Sequence, residues 1–390
     1  MKGIFFREAP CRISVIPSRL FSFSLTYRQH GNPLDVLELT SHDRESSGED
    51  LCDEEVAVAV LAAGINPADC NIIEGRYPML PKQLPAIGGN ECVGEVVAVG
   101  RRVTGLSPGD WVVPGVAGAG GLWRSSTWRG PASAWLTLPP GVPLLTAATL
   151  TVSSCTAFRM LDDFVELLEP GQRRRHAVVQ NGATGAVGRA VTQIAAARGI
   201  PSVSLLRRHG GCHSTGQLDD GDGSTLPIDD EARRQELLRL GASVALFEDE
   251  LRDRRDEVQS LGVQFSLGLN CIGGESAAAV AKLLSPSAHL VTYGGMSKQP
   301  VAVPTGLFIF KELKCHGFWM TRWMNDIAKP ADKMAMLNEL AGLARNGAIH
   351  TDVECFPLET EWRRGIEQAL APYRAKKPVL LCNVPSRDVS

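Results

Sequence analysis

The sequence predicts an α/β protein that combines a partly open β-barrel with a doubly wound parallel sheet. Short apolar runs bounded by glycine and proline, such as 56–60 and 110–113, dominate residues 24–140, and this spacing is typical of a compact barrel of short strands. From about residue 144 the pattern changes to alternating strands and helices, with β-like runs that end in glycines at 269–274 and 289–295. Such alternation indicates a doubly wound sheet, which binds ligands beyond the carboxyl ends of its strands.

A glycine-rich turn lies at 181–188, with the sequence Asn-Gly-Ala-Thr-Gly-Ala-Val-Gly. It follows a predicted buried strand, 177–180, and precedes a predicted helix, 189–198, which has small and apolar residues at helical spacing. Its glycines therefore lie where a parallel strand turns into a helix. There they allow a tight turn and let a pyrophosphate approach the backbone N–H groups at the positive end of the helix. The turn predicts a dinucleotide site.

The next predicted strand, 202–206, ends at Arg207 and Arg208 rather than at an acidic residue. An acid would bind the ribose 2′-hydroxyl of NAD, whereas arginine suits the 2′-phosphate of NADP. The pattern therefore predicts NADPH as cofactor, with a solvated loop as the alternative interpretation of the two arginines. Residues 209–230 are rich in glycine, serine, threonine and aspartate, and are predicted to be a flexible surface insertion.

The bulk composition indicates a globular protein of two ordinary domains. The chain has 390 residues, of which 44% are hydrophobic and 21% charged. A net charge of −3 gives no reason to expect nucleic acid as a partner, and no apolar run predicts a membrane span. Ten cysteines are scattered without a CxxC pair, which favours buried thiols of a reducing compartment over a disulfide framework.

Residues 1–24 differ from the rest of the chain. They carry four basic residues and one acid, Glu8, among serines and phenylalanines. This composition predicts a mitochondrial presequence. The alternative is an ordinary chain terminus before the first strand, and Pro10 and Pro17 interrupt a continuous amphipathic helix.

Two motifs then resemble the medium-chain dehydrogenase/reductase superfamily: Gly-Ile-Asn-Pro-Ala-Asp at 64–69 and Gly-Gly-Asn-Glu at 88–91, followed by Ser-Pro-Gly-Asp at 107–110. In its zinc-dependent alcohol dehydrogenases a cysteine and a His-Glu pair occupy these places, where this chain has Asn66 and Asn90. Asparagine is a poor Zn²⁺ ligand beside thiolate and imidazole. The motifs therefore predict no catalytic zinc.

Further blocks narrow the resemblance to the mitochondrial trans-2-enoyl-thioester reductases of fatty-acid synthesis. The blocks lie at 74–77, 84–91, 269–274, 293–300, 310–314 and 317–319. The similarity covers nearly the whole chain after residue 24, apart from the insertion. It implies NADPH-dependent reduction of the C2–C3 double bond of an enoyl thioester carried on acyl carrier protein or coenzyme A. It also implies a homodimer in the mitochondrial matrix.

The resemblance also implies the domain organisation. A presequence at 1–24 precedes the first part of a GroES-like catalytic domain at 25–150. A Rossmann NADP-binding domain follows at 151–323, and 324–390 returns to the catalytic domain. The active site is expected in the cleft between the domains.

The family places a catalytic tyrosine in the loop before the Gly-Gly-Asn-Glu block, and Tyr77 matches it. Hydride delivery to C3 leaves negative charge on the thioester oxygen and on C2, and a phenol is a suitable general acid or oxyanion stabiliser. From sequence alone, the alternative is a loop aromatic beside Pro78. Asp69 and Glu91 are candidate general bases, but structural hydrogen bonds around the Tyr77 loop are the favoured interpretation.

Family positions that contact the cofactor match a larger set of residues. They are Ser153, Thr184, Gly185, Ala186, Val187, Arg207, Arg208, His209, Tyr293, Gly294, Gly295, Met296, Phe318, Trp319, Met320, Thr321 and Lys377. Relatives carry asparagine at the position of Ser153 and Arg-Asp-Arg at 207–209. Trp319 and Trp323 are also candidate walls of an acyl pocket, with core or interface packing as the equal alternative.

Two other functions remain open at this point. The first is an NADPH:quinone oxidoreductase, which shares the nucleotide fold without needing a proton donor at Tyr77. The second is a non-enzymatic NADPH-binding regulatory protein, which no enoyl thioester would stimulate to oxidise NADPH.

Overall fold

The computed structural model describes residues 21–43, 51–116, 120–164, 176–208, 229–326, 328–372 and 376–384. They divide into two compact units. The first draws on Met1–Thr151, Met324–Ala341 and Asp352–Ser390, and the second on Val152–Trp323 and Gly342–Thr351. Residues 342–351 therefore group with the second unit, whereas the sequence placed them with 324–390 in the catalytic domain.

The strands are β1 Phe21–Tyr27, β2 Leu37–Asp43, β3 Glu55–Gly64, β4 Ala86–Ile87, β5 Val93–Val99, β6 Trp111–Pro114, β7 Trp128–Pro131, β8 Trp135–Thr137, β9 His176–Gln180, β10 Ser202–Leu206, β11 Val244–Phe247, β12 Gln264–Asn270, β13 His289–Thr292, β14 Lys314–Gly317, β15 Val353–Pro357 and β16 Lys377–Leu381. The helices are α1 Pro33–Val36, α2 Pro67–Ile73, α3 Leu144–Ala147, α4 Cys155–Asp163, α5 Ala186–Ala197, α6 Asp230–Arg239, α7 Arg255–Gln259, α8 Gly274–Leu283, α9 Thr305–Phe310, α10 Met320–Met324, α11 Pro330–Arg345 and α12 Trp362–Leu370. None of the described helices is long and apolar enough to cross a membrane.

The first unit is built mainly of antiparallel strands. Its larger sheet has the order β15-β16-β3-β5-β6-β8, with β7 also paired to β3, and a smaller sheet has the order β2-β1-β4. Alternate residues of β3, Val56, Val58 and Val60, are fully buried and join Trp123 and Trp128 in one core. This burial explains why β3, an uninterrupted apolar run, lies inside the sheet and not at its edge.

The described residues of the second unit form a parallel sheet with the order β11-β10-β9-β12-β13-β14. Strands β9, β10 and β11 are rich in small and apolar residues because they are almost entirely buried, whereas β14 at the edge is largely exposed. The fold class predicted from the sequence is confirmed. The helix after the glycine turn begins at Ala186, three residues before the predicted start, because the turn closes at Gly185 in extended conformation (φ −74°, ψ 164°).

The structure differs from the sequence prediction at two segment boundaries. Residues 21–24, placed in the presequence, lie in β1, where they pair with 40–43 of β2; residues 1–20 lie outside the described residues. The predicted insertion ran to residue 230, but α6 begins there, because Asp229 accepts hydrogen bonds from the amides of Glu231 (2.9 Å) and Ala232 (3.1 Å) and caps the helix. Residues 209–228 lie outside the described residues.

Candidate functional site

The loop that carries Tyr77 is fixed by the end of α2. Gly75 takes a left-handed conformation (φ +75°), and its amide donates to the Ile72 carbonyl at 3.0 Å, so the helix stops and the chain turns. A Cβ at Gly75 would lie 3.1 Å from Cγ of His30. Tyr77 follows two residues later and is half-buried.

A buried polar cluster, here called the Asn66 cluster, lies at the start of α2. It comprises Asn66, Asp69, Asn90, Glu91 and Lys377, all within the first unit. The side-chain amide of Asn90 donates to Asp69 at 2.8 Å, and the side-chain amide of Asn66 donates to Glu91 at 2.9 Å. Lys377 Nζ donates to Asn66 Oδ1 at 2.8 Å and to Glu91 Oε2 at 2.7 Å. The two asparagines at the zinc-ligand positions thus hold carboxylates by hydrogen bonds.

Asp69 and Glu91 make structural contacts in this cluster. Asp69 Oδ2 accepts from the backbone N–H of Asn66 at 2.7 Å at the first turn of α2, and burial raises the pKa of Asp69 to about 6. Glu91 is fully buried and also accepts from Thr151 at 3.4 Å. Gly64 leaves the space for this, since a Cβ there would lie 2.7 Å from Glu91 Oε2. These contacts agree with the structural interpretation of both acids.

In the second unit the glycine turn forms a narrow cradle. Gly182 has a positive φ of +59°, and a Cβ there would lie 2.3 Å from Sγ of Cys271. A Cβ at Gly188 would lie 2.6 Å from Cα of Ala183. Both positions therefore need glycine for the strand, turn and helix to approach. The predicted cofactor residues 184–187 lie at the N-terminus of α5, where backbone N–H groups favour an anion.

Two asparagines that the sequence analysis did not assign join the strand ends around this turn. Asn181 Nδ2 donates to Asn270 Oδ1 at 2.8 Å and to Ser276 Oγ at 3.0 Å. Asn181 Oδ1 accepts from the Cys271 amide at 2.9 Å, and Asn270 Nδ2 donates to Thr292 at 3.1 Å. The network fixes the carboxyl ends of β9, β12 and β13. In the sequence, this network is indicated by the asparagine that ends or directly follows each of two apolar strand runs, Asn181 and Asn270.

The predicted residues 293–296 leave β13 beside the glycine turn. The Tyr293 amide donates to the Asn270 carbonyl at 3.0 Å, and the Met296 amide donates to the Cys271 carbonyl at 2.9 Å. The Tyr293 hydroxyl is buried beside the Cys271 thiol, and this burial raises its pKa well above the ordinary value. Gly294 is half-buried, and Gly295 and Met296 are exposed. Residues 182, 271 and 293–296 thus converge on one strand-end site.

Residues 318–321 follow the neighbouring strand, β14. The Phe318 amide donates to the Thr292 carbonyl at 2.9 Å, which holds this segment at the end of β13. Phe318, Trp319 and Thr321 are half-buried, and Met320 is buried. Trp323 is 7% exposed, with the Arg159 guanidinium 4.7 Å from its ring centroid, so its environment favours core packing over a pocket wall.

Arg207 and Arg208 lie at the carboxyl end of β10, as the sequence predicted. Arg207 is half-buried, and Arg208 is exposed. Arg208 donates from Nε to Asp249 at 2.7 Å and from Nη2 to Glu250 at 2.9 Å. Two cations beside a glycine cradle fit a dinucleotide with a 2′-phosphate. His209 lies outside the described residues.

Two predicted cofactor residues do not belong to these strand-end segments. Ser153 is 2% exposed in a π-helical segment, Leu150–Ser154. Lys377 begins β16 in the first unit, and its ammonium group contacts Asn66 and Glu91 as described above. Their contribution to cofactor binding stays a prediction.

The fold and these sites define a medium-chain dehydrogenase/reductase. Residues 52–126 match the model of the alcohol dehydrogenase GroES-like domain. The mitochondrial enoyl-acyl-carrier-protein reductase of Bos taurus is 40% identical over 372 residues, which cover 94% of this chain and 90% of that protein. The chain belongs to the family of mitochondrial enoyl-acyl-carrier-protein reductases, and the resemblance read from its motifs is confirmed.

Solved structures agree. The Etr1p/NADP/crotonyl-CoA complex has a TM-score of 0.79 and 27% identity, and the match covers 93% of this chain and all (100%) of that one. The mitochondrial 2-enoyl thioester reductase Etr1p/Etr2p heterodimer from Candida tropicalis has a TM-score of 0.77 at 27% identity, with coverage of 93% and 100%.

Proposed function

We propose that this chain is a mitochondrial reductase that uses NADPH to reduce the C2–C3 double bond of trans-2-enoyl thioesters on acyl carrier protein or coenzyme A. The observation that carries the proposal is the family relationship over nearly the whole chain, at 40% identity to the Bos taurus enzyme. The likeness to Etr1p, solved with NADP and crotonyl-CoA, supports the same cofactor and substrate class.

In this reaction NADPH, when bound, supplies the hydride that is transferred to C3 of the enoyl thioester. Negative charge then develops on the thioester oxygen and on C2. Tyr77 is placed by the Gly75 turn, and its phenol donates a hydrogen bond to the developing enolate and a proton to C2. The phenolate regains its proton from solvent, so one hydride and one proton are added across the double bond.

We assign cofactor binding to the strand-end residues of the second unit. Residues 184–187 would hold the pyrophosphate at the N-terminus of α5, and Arg207 and Arg208 would hold the 2′-phosphate. Residues 293–296 and 318–321 lie at the ends of the next two strands, where a doubly wound sheet binds the rest of a dinucleotide. Ser153 and Lys377 are assigned to the same task on the family resemblance.

The function is tested by following NADPH oxidation at 340 nm with the purified chain. Crotonyl-CoA and hexenoyl-CoA should support turnover, and quinones should support hardly any. A preference for quinones would favour the oxidoreductase alternative. No stimulation by any enoyl thioester would favour a non-enzymatic NADPH-binding protein.

The oligomeric state belongs to the same proposal. β14 is an edge strand of the parallel sheet, and the preceding helix, α9, exposes Phe308, Ile309 and Phe310 by 48, 58 and 85%. An exposed edge beside an apolar patch favours pairing with another chain. We propose that two copies associate through β14 and α9 as a homodimer.

A further inference from the structure

Glu250, which follows β11 in a 3₁₀ turn, connects three arginines of the second unit. Its Oε1 accepts from Nη2 of Arg208 at 2.9 Å and from Nη2 of Arg234 at 2.6 Å. Its Oε2 accepts from Nη1 of Arg254 at 3.3 Å and from the Phe247 amide at 3.1 Å. The Glu250 side chain is only 20% exposed, so these bonds are partly shielded from water.

The ring of Phe247 fixes two of the same guanidinium groups. Cζ of Arg208 lies 4.2 Å from the ring centroid, and Cζ of Arg234 lies 4.6 Å from it. Phe247 is 1% exposed at the end of β11. Because one carboxylate oxygen and one ring hold both arginines, Arg208 is confined in position although its side chain is 42% exposed.

The second acidic contact of Arg208 differs in kind. Asp249 accepts from Nε at 2.7 Å, but its side chain is 60% exposed. An exposed ion pair contributes little stability and exchanges readily. A phosphate dianion is therefore able to replace Asp249 on Arg208 while Glu250 and Phe247 keep the guanidinium in place.

We infer that Glu250 is a positioning residue for the cofactor's 2′-phosphate, because it holds Arg208 where that phosphate binds. The inference rests on the proposed function, in which NADPH is the reductant. A carboxylate near a phosphate repels it through charge alone. The two effects of Glu250 therefore have opposite signs, and a charge-removing substitution separates them.

The test measures the Kd of NADPH and of NADH by fluorescence titration of the purified full chain carrying Glu250→Gln. Glu257→Gln is the matched control. Glu257 also bonds Arg254, at 2.6 Å, so its substitution removes the same charge from the same arginine. Glu250→Gln should weaken NADPH about tenfold, as expected for loss of a charged hydrogen bond, and leave NADH binding unchanged. Glu257→Gln should leave NADPH binding unchanged or slightly tighter.

Tighter NADPH binding by Glu250→Gln, or equal effects of both substitutions, would show that Glu250 acts by charge alone and overturn the inference. Glu250→Asp tests the same point if Glu250→Gln does not fold. It keeps the charge, but its shorter side chain withdraws the carboxylate from the guanidinium of Arg208, so NADPH should again bind about tenfold more weakly; unchanged binding would refute the inference. A wild-type chain that binds NADH as tightly as NADPH would instead refute the proposed cofactor.

Discussion

At the scale of single residues, the proposed role of Tyr77 as proton donor separates the reductase function from simple nucleotide binding. Tyr77→Phe removes only the hydroxyl, and the loop geometry set by Gly75 should persist. Turnover with crotonyl-CoA should fall by roughly 100-fold or more, since general acid catalysis contributes about that much. The Kd of NADPH should stay within about twofold of wild type, because a hydrogen bond lost only in the transition state does not alter cofactor binding.

Steady-state kinetics and fluorescence titration of the same preparation check this prediction. Turnover that is unaffected would remove Tyr77 from the reaction. A parallel loss of NADPH affinity would instead indicate that Tyr77 supports the binding site.

Asp69 provides a pH test of the Asn66 cluster. Burial raises the pKa of Asp69 to about 6 in the folded chain, above the ordinary value of about 3.9 in the unfolded chain. Between these two pH values the folded state binds more protons than the unfolded state, so the contribution of Asp69 to stability falls as pH rises from about 4 to 6. A shift of about two units corresponds to at most roughly 3 kcal/mol.

Urea denaturation of wild type and Asp69→Asn at several pH values measures this effect. The stability of wild type relative to the variant should decrease across that window and become constant above about pH 7. A difference in unfolding free energy that does not vary with pH would contradict a raised pKa for Asp69.

The Asn66 cluster also shows what a sequence can and cannot reveal about single residues. Asn66, Asn90, Asp69 and Glu91 belong to motifs, so their place near the Tyr77 loop was predictable. The contact of Lys377 with Glu91 joins positions 286 residues apart. No local pattern specifies it, because the two come together only when β16 and β5 both pair with β3.

At the scale of elements, the strands and turns with strong local chemistry were the most predictable. β10 matches its predicted range because five buried apolar and small residues are bounded by Pro201 and Arg207. The start of α5 was placed too late because the glycines that make the turn also weaken the helical pattern there. The start of β1 at residue 21 was missed because its alternation of Phe and Ser resembles a basic, serine-rich presequence.

The Gly75 turn gives a prediction at this scale, with Gly105 as control. Both residues have positive φ, +75° and +81°, but a Cβ at Gly105 meets no atom of the described residues within 4 Å, whereas at Gly75 it meets His30. Alanine at either position should cost about 1–2 kcal/mol of stability through backbone strain. Only Gly75→Ala should also lower the turnover number, because it moves the loop that carries Tyr77.

Thermal denaturation and crotonyl-CoA kinetics of both variants distinguish the two effects. Equal turnover numbers in the two variants would mean that the Gly75 turn ends α2 without positioning Tyr77.

At the scale of the whole molecule, the first unit is assembled from distant parts of the chain. β16 lies between β15 and β3 in its larger sheet, so residues after 350 complete a sheet that begins before residue 65. The apolar run at 378–382 is typical of a buried strand. Its antiparallel partner was not predictable, because strand order depends on tertiary packing rather than on local pattern.

The association of whole chains provides the last prediction. Phe310 is 85% exposed at the end of α9, next to the edge of the parallel sheet formed by β14. Phe310→Glu should weaken self-association by roughly tenfold or more, because a charge replaces an apolar anchor in a patch that excludes water.

Leu238→Glu is the control. Leu238 is 36% exposed on α6, and α6 packs against β11 at the opposite edge of the same sheet. Sedimentation velocity across a range of concentrations should show a dimer for wild type and for Leu238→Glu, and a shift toward monomer for Phe310→Glu alone. A wild-type chain that is monomeric at all concentrations would refute the dimer, whereas a dimer insensitive to Phe310→Glu would place the interface on another surface.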